Sequence, residues 1–186
     1  MAYEFQVTVD CADPHALADW WAETLGWPVE PQDEDFIRRM ISEGYADDSE
    51  TTLHNGKLVW KGGSAIRHPD GLKRAPRVLF QSVPEAKTVK NRVHLDVRIG
   101  ADDVDEVVAG LVARGAKVLH AGRQGPHTWV TVADPEGNEF CVSPSAPAAG
   151  LRCHYPERGR VSPAQPGRAS ACGGSGGLAR ARARRP

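Results

Sequence analysis

The chain has 186 residues, 23 basic and 24 acidic, and a formal net charge of −1. That length suits one ordinary domain, or two half-domains sharing a core, and excludes two large domains. No apolar run approaches the roughly 18 residues that a membrane helix needs, and Met1-Ala2-Tyr3-Glu4-Phe5-Gln6 lacks the basic-then-apolar pattern of a secretory signal.

The expectation is therefore a cytoplasmic chain with no membrane span. Four cysteines, Cys11, Cys141, Cys153 and Cys172, include no CxxC pair, which argues against a disulfide framework or a zinc knuckle and predicts free thiols. The near-neutral balance hides a division. Residues 151–186 hold eight arginines and one acid, Glu157, for a net of +7, which leaves residues 1–150 at −8. An acidic body is a poor nucleic-acid binder by itself.

In chain order, Tyr3 to Asp10 alternates as a strand does. Asp13-Pro14 then supplies an N-cap and a proline at the first helical position. Leu17, Trp20, Trp21, Thr24 and Leu25 recur at helical spacing until Gly26 stops the run. Between Gln32 and Glu50, Phe36, Ile37, Met40 and Ile41 read as a short amphipathic helix. Ser64 to Gly71 and the strand Arg77 to Gln81 follow, and the basic stretch Lys87, Lys90, Arg92 links to a second round. There Val93 to Ile99 is extended and Asp102-Asp103 caps. Val104, Val107, Val108, Leu111 and Val112 form one helical face ended by Gly115. Lys117 to His120, Thr128 to Val132, the turn Asp134-Pro135-Glu136-Gly137-Asn138 and Glu139 to Val142 complete a β-α-β-β-β order.

Asp13…Gly26 lies over Asp102…Gly115 at a constant offset of 89, which identifies an internal repeat. His68-Pro69-Asp70-Gly71 answers Asp134-Pro135-Glu136-Gly137 at an offset of 66, so the first copy carries about 23 extra residues, placed at Gln32 to Glu50. An insertion of that size suits a lid or wall over a pocket. The predicted organisation is α+β: residues 1–145 form one domain of two tandem units, about 3–83 and 92–143, and residues 146–186 form a disordered tail rich in Arg, Gly, Pro and Ala. The tail's arginines suit RNA, DNA or an anionic surface, against the plainer reading of a solvated extension.

Alternation places His94, Asp96 and Arg98 on one strand face, and such a set belongs to a polar cleft rather than a dry core. Arg98 there can hold an anionic group bidentately. Each residue also has an ordinary reading: His94 as a hydrogen-bonded histidine, Gln6 as a partner for backbone groups, Cys141 as a small apolar filler. Trp20 and Trp21 read as packing. Trp60 and Trp129, on extended segments, read either as core or as the wall of a flat aromatic pocket. His68 and His127 lie beside turns, either at a cleft edge or on the surface. No Gly-rich phosphate loop, G-x-S-x-G elbow or H-E-x-x-H helix is present.

Two β-α-β-β-β units, Asp13-Pro14…Trp20-Trp21…Leu25-Gly26-Trp27, the linker Val83 to Asp96, and Asp134-Pro135-Glu136-Gly137-Asn138 leading into the last strand together resemble the vicinal oxygen chelate superfamily. That superfamily holds glyoxalases, bleomycin-resistance proteins and extradiol dioxygenases, and the chain most resembles its glyoxalase-like subgroup. The resemblance implies curled mixed sheets enclosing a cleft, often around a divalent metal. Position by position it implies Gln6 and His94 as ligands from the first strand of each unit. Cys141 stands where metal-dependent members place a glutamate, and Glu139, on the same face, is the nearest carboxylate.

A thiol at that position favours Zn²⁺ or no metal over a harder Mn, Ni or Fe centre. The expectation is a protein that binds a small molecule in the cleft between its two units, without a catalytic metal, with Gln6, His94, Asp96, Arg98, Trp129, Glu139 and Cys141 lining that cleft. Two alternatives stand beside it: a metal-dependent lyase, isomerase or dioxygenase with Gln6, His94 and Glu139 as ligands, and an interaction protein acting through its basic tail. A homodimer is also compatible with the resemblance.

Overall fold

The computed structural model describes residues 3–145. The expectations for residues 146–186, including Cys153 and Cys172, lie outside the described residues. The first unit runs β1 (Val7–Cys11), α1 (Pro14–Leu25), α2 (Glu34–Ser42), β2 (Thr51–His54), β3 (Lys57–Trp60), β4 (Gly63–Ile66) and β5 (Val78–Ser82). The second runs β6 (Asp96–Arg98), α3 (Val104–Ala113), β7 (Lys117–Gln124), β8 (His127–Ala133) and β9 (Glu139–Ser143). Both main helices start as their sequence dictates. Asp13 accepts hydrogen bonds from the N–H groups of His15 and Ala16, and Asp103 from those of Asp105 and Glu106. Gly26, at φ 64°, takes the left-handed conformation that closes α1.

The repeat is visible as topology. In the second unit β6 pairs parallel with β9, and β9, β8 and β7 continue antiparallel, giving the order β6-β9-β8-β7. In the first, β1 pairs parallel with β5 and β5 antiparallel with β4, giving β1-β5-β4. A fourth strand survives there only as a bridge between Val29 and Ile66. Pro28 and Pro31 flank that bridge, and neither has an N–H with which to extend a ladder. The result is a mixed α+β fold of small open sheets; no closed barrel forms among the described residues.

The insertion is more than the helix expected at 32–50. It also contains the hairpin β2–β3, whose turn places Asn55 at φ 50° and Gly56 at φ 78°, the geometry of a two-residue primed turn. Helix α2 packs on β3 with Ile37 buried, while Phe36 stays on the surface. The hairpin is fastened to α1. His15 Nε2 lies 2.9 Å from the Trp60 carbonyl, His54 Nε2 lies 2.8 Å from Asp19 Oδ2, and the two imidazoles stack at 4.9 Å.

One core joins both units. Trp20 and Trp21 pack edge-on to each other and against Phe140 of β9, with ring centroids 4.8–6.0 Å apart. The turn before β9 completes the junction. Asp134 is 1% exposed, and its carboxylate accepts from Trp21 Nε1, from Asn138 Nδ2 and from the backbone N–H groups of Glu136 and Asn138. The Glu136 carboxylate accepts from the N–H groups of Ala12 and Asp13 at 2.6 and 2.9 Å. Leu95, Val97 and Ile99 pack against this core, which turns His94, Asp96 and Arg98 to the opposite face of the sheet.

Candidate functional site

That opposite face floors a cleft of about 1220 Å³, and every residue lining it lies between Lys90 and Ser145. The second unit and its linker thus build this cleft from their own residues, in place of the expected cleft between the two units, and the insertion supplies none of its walls. Strand register explains the floor. Asp96 pairs with Cys141, Cys141 with Thr131, and Thr131 with His120, so one row of four polar side chains crosses β6, β9, β8 and β7. All four line the cleft. His94 precedes Asp96 by two residues and shares its face.

Within this row three groups converge. One donor atom each from His94, Asp96 and Cys141 lies within 4.8 Å of the others, and His94 Nε2 is 3.5 Å from Asp96 Oδ1. Thr131 Oγ1 lies 3.5 Å from Cys141 Sγ. Burial, and then the charge of Asp96, push the Cys141 thiol above its ordinary range, with the Thr131 contact working against them. Cys141 is only 8% exposed and His94 and Asp96 are largely exposed, so the sulfur lies at the bottom and the other two donors face the opening. An imidazole, a carboxylate and a thiol together suit a borderline cation such as Zn²⁺ better than a hard one such as Mn²⁺ or Mg²⁺.

Among the other residues expected in the site, Arg98, Trp129 and Glu139 line the cleft and Gln6 does not. Gln6 precedes β1 in the first unit's sheet, whereas His94 precedes β6 in the second's. The Gln6 side-chain oxygen instead accepts from Arg77 at 3.0 Å. Glu139 stays apart from the converging trio. Its carboxylate accepts the Asn91 N–H at 2.8 Å and meets Lys87 Nζ at 3.3 Å. Burial alone would raise its pKa, but the backbone N–H donors and the Lys87 ammonium outweigh it and hold the group below the ordinary carboxylate range. Asp96 therefore takes the place that sequence reasoning gave to Glu139 as the carboxylate beside His94.

Trp129 lies across Gly122, its cross-strand partner, where a Cβ would overlap the indole ring at Cε2, Cζ2 and Nε1. Only glycine leaves the ring room to lie flat along the cleft. Trp60 does not line this cleft; its backbone N–H bonds to Gln32, and its carbonyl meets His15. His127 lines the cleft, and His68 packs against Trp27. Sequence reasoning passed over Arg123, Thr131 and His120 as cleft residues and placed Lys90 only in the basic linker stretch. Alternation from Trp129 reaches Thr131, but the register shift between Val118 and His120 hides His120 from any simple count along β7.

A sequence profile of the glyoxalase-like domain family matches residues 6–143. No curated protein matches the chain. Among solved structures, a fosfomycin resistance protein, FosX, from Listeria monocytogenes superposes with a TM-score of 0.52 at 9% identity, over 78% of this chain and 95% of that one. A point mutant of that protein, complexed with Mn(II) and 1S,2S-dihydroxypropylphosphonic acid, gives 0.51 at 9% identity, over 78% and 94%. A protein from Agrobacterium tumefaciens gives 0.51 at 18% identity, over 78% and 99%. At such identities these similarities speak to the fold. Matched by the family profile over most of its length, the chain belongs to the glyoxalase-like domain family of the vicinal oxygen chelate superfamily.

Proposed function

We propose that this chain binds a small anionic molecule in the cleft on its second unit. The observation that carries this reading is the charge of the lining. Lys90, Arg98 and Arg123, with three imidazoles, face only Asp96 and Glu139, and Glu139 is already engaged by Lys87. Arg98 makes no ion pair with a carboxylate among the described residues, so its guanidinium is available for a bidentate contact. The flat Trp129 ring beside these cations adds an apolar wall, which favours an anion attached to a planar or apolar body. Holding such an anion requires no metal.

Phenylphosphonate, with benzyl alcohol as its uncharged counterpart, tests the reading by calorimetric titration and thermal stabilisation. The expected result is saturable binding of phenylphosphonate that weakens as salt rises. Arg98→Ala should weaken it about tenfold, the loss expected for one charge-assisted contact. Equal binding of benzyl alcohol, or unchanged affinity in Arg98→Ala, would overturn the assignment. A metal-dependent reaction of the lyase, isomerase or dioxygenase kind is the second reading, favoured by the convergence of His94, Asp96 and Cys141.

A further inference from the structure

Resting on the anion reading above, we infer that Glu139 is a positioning residue that fastens residues 84–93 as a strap over the cleft, with Lys90 as the strap's cationic contact to the bound anion. Little else holds this segment. Val83 N–H bonds to the Cys11 carbonyl at 3.0 Å, and the Leu95 carbonyl accepts from Cys141 N–H at 2.9 Å, but no backbone–backbone hydrogen bond joins residues 84–93 to the described residues around them. Val89 and Val93 are 76% and 81% exposed, so apolar burial does not hold the segment either. Among the described residues, the hydrogen bonds from 84–93 to the rest of the fold converge on one group, the Glu139 carboxylate. A segment tied so sparsely opens at low cost, without unfolding the sheet beneath it.

The clasp grips the strap on both sides of Lys90. Glu139 Oε2 accepts the Asn91 N–H at 2.8 Å, immediately after Lys90. The other carboxylate oxygen meets Lys87 Nζ at 3.3 Å, and the same ammonium donates to the Val89 carbonyl at 2.6 Å, immediately before Lys90. The Lys87 and Glu139 side chains are 20% and 12% exposed, so water competes little for this pair. Held between two fixed neighbours, Lys90 lines the cleft. Its charge reaches the floor: at Cys141, where burial raises the thiol's pKa, the Lys90 ammonium acts in the opposite direction. Arg98 from the sheet and Lys90 from the strap thus meet an anion from two separate elements, and lifting the strap withdraws one of the two.

Charge alone gives the opposite sign from the strap. Removing a carboxylate from the cleft wall leaves Lys87 unpaired and should tighten anion binding. A released strap instead lowers the fraction of molecules in which Lys90 is in place, and weakens binding in proportion. Phenylphosphonate titrations of the full chain separate the two. Lys90→Ala should cost about tenfold in affinity, as one charge-assisted contact does. Glu139→Ala should weaken binding by up to that factor, and on the Lys90→Ala background it should bring no further loss. Glu139→Gln keeps an acceptor for Asn91 and nearly the same volume, so it should weaken binding less; its sign decides the matter if Glu139→Ala does not fold. Amide exchange in the ligand-free chain is the second readout. The Asn91 N–H should exchange more slowly than the other amides of residues 84–93 and lose that protection in Glu139→Ala, while the amides of β5 and β8 stay protected and report an intact fold. Phenylphosphonate bound as tightly or more tightly by the Glu139 variants, unchanged affinity in Lys90→Ala, a further loss on the Lys90→Ala background, or an unprotected Asn91 overturns the strap and leaves the anion reading standing. No binding by the wild type overturns both.

Discussion

Asp134→Asn tests how the two units are locked together. The wild-type carboxylate, 1% exposed, accepts four hydrogen bonds, two from backbone N–H groups of its own turn and two from the side chains of Trp21 and Asn138. Asparagine keeps one oxygen for the backbone pair but turns an NH₂ toward the Trp21 indole N–H, which lies 3.1 Å from the present oxygen. The Asn138 amide can rotate to offer its own oxygen; the indole cannot. Two buried donors then oppose each other, at about 1–3 kcal/mol each. Against this, burial raises the Asp134 pKa despite the opposing hydrogen bonds, so removing the charge recovers part of the loss. The expected net destabilisation is about 2 kcal/mol, or a fall of about 4–8 °C in Tm.

Urea unfolding followed by tryptophan fluorescence and far-ultraviolet circular dichroism should show a lower midpoint with an unchanged slope. A cycle with Trp21→Phe should show coupling of about 1 kcal/mol, because the phenylalanine removes the unmatched donor. The pH dependence has a defined sign. A folded carboxyl that holds its proton more tightly than the unfolded one favours folding most at low pH, and that contribution fades as pH rises through the raised pKa. Asp134→Asn lacks this slope. A variant within about 0.5 kcal/mol of wild type, or no coupling to Trp21→Phe, would refute the account of the junction.

Three further outcomes follow from the same geometry. Glu139 has a depressed pKa in the fold, so it contributes stability above the ordinary carboxylate range that is lost as pH falls through the depressed value. Melts between about pH 3 and 6 should therefore show a shallower acid limb for Glu139→Gln than for wild type. Glu136→Ala removes the acceptor of the Ala12 and Asp13 N–H groups and should cost about 1–2 kcal/mol by chemical denaturation, with Glu136→Gln costing less because its amide keeps one oxygen. Gly122→Ala forces the Trp129 ring off the strand, since the new Cβ would overlap the indole. The near-ultraviolet circular dichroism should change and phenylphosphonate binding weaken, and an unaltered aromatic spectrum would show that the ring does not depend on that glycine.

Much of the architecture was legible in the sequence because it rests on local rules. Asp13-Pro14 and Asp102-Asp103 announce helix starts, Gly26 and Gly115 announce ends, and their constant offset announces the repeat. The hairpin β2–β3 was equally announced by Asn55-Gly56 but is obscured by the polar segments around it. Strand alternation turned His94, Asp96 and Arg98 to one face and located the cleft's floor. Alternation says nothing of which strands become neighbours, however. The pairing of Asp96 with Cys141 depends on a parallel contact between segments more than 40 residues apart, and the pairing of His120 with Thr131 on an irregularity in β7. Such information is tertiary, so Asp96 could be seen as a cleft residue and not as the partner of the cysteine.

The same limit explains Gln6. Treating the repeat as chemically symmetric leads to a site with one ligand from each first strand, but Gln6 is not among the residues that line the cleft with His94. In the second unit the row across the sheet reads Asp96, Cys141, Thr131, His120. In the first, the row outside the core reads Thr8, Leu79, Ala65 and then ends, because the prolines around Val29 leave no fourth strand. No ionisable side chain stands in that row. The repeat thus accounts for the fold of both halves, since the buried face of each sheet is apolar in the same way and packs into the common core. The outer faces were under no such constraint. The first unit's outer face carries Thr8, Leu79 and Ala65 with Asp10 and Gln81 one pair further on, and the second's gathered an imidazole, a carboxylate, a thiol and a guanidinium around an open cleft. Substitutions at Thr8, Leu79 and Ala65 should therefore leave phenylphosphonate affinity unchanged, and those on the cleft row of the second unit should change it.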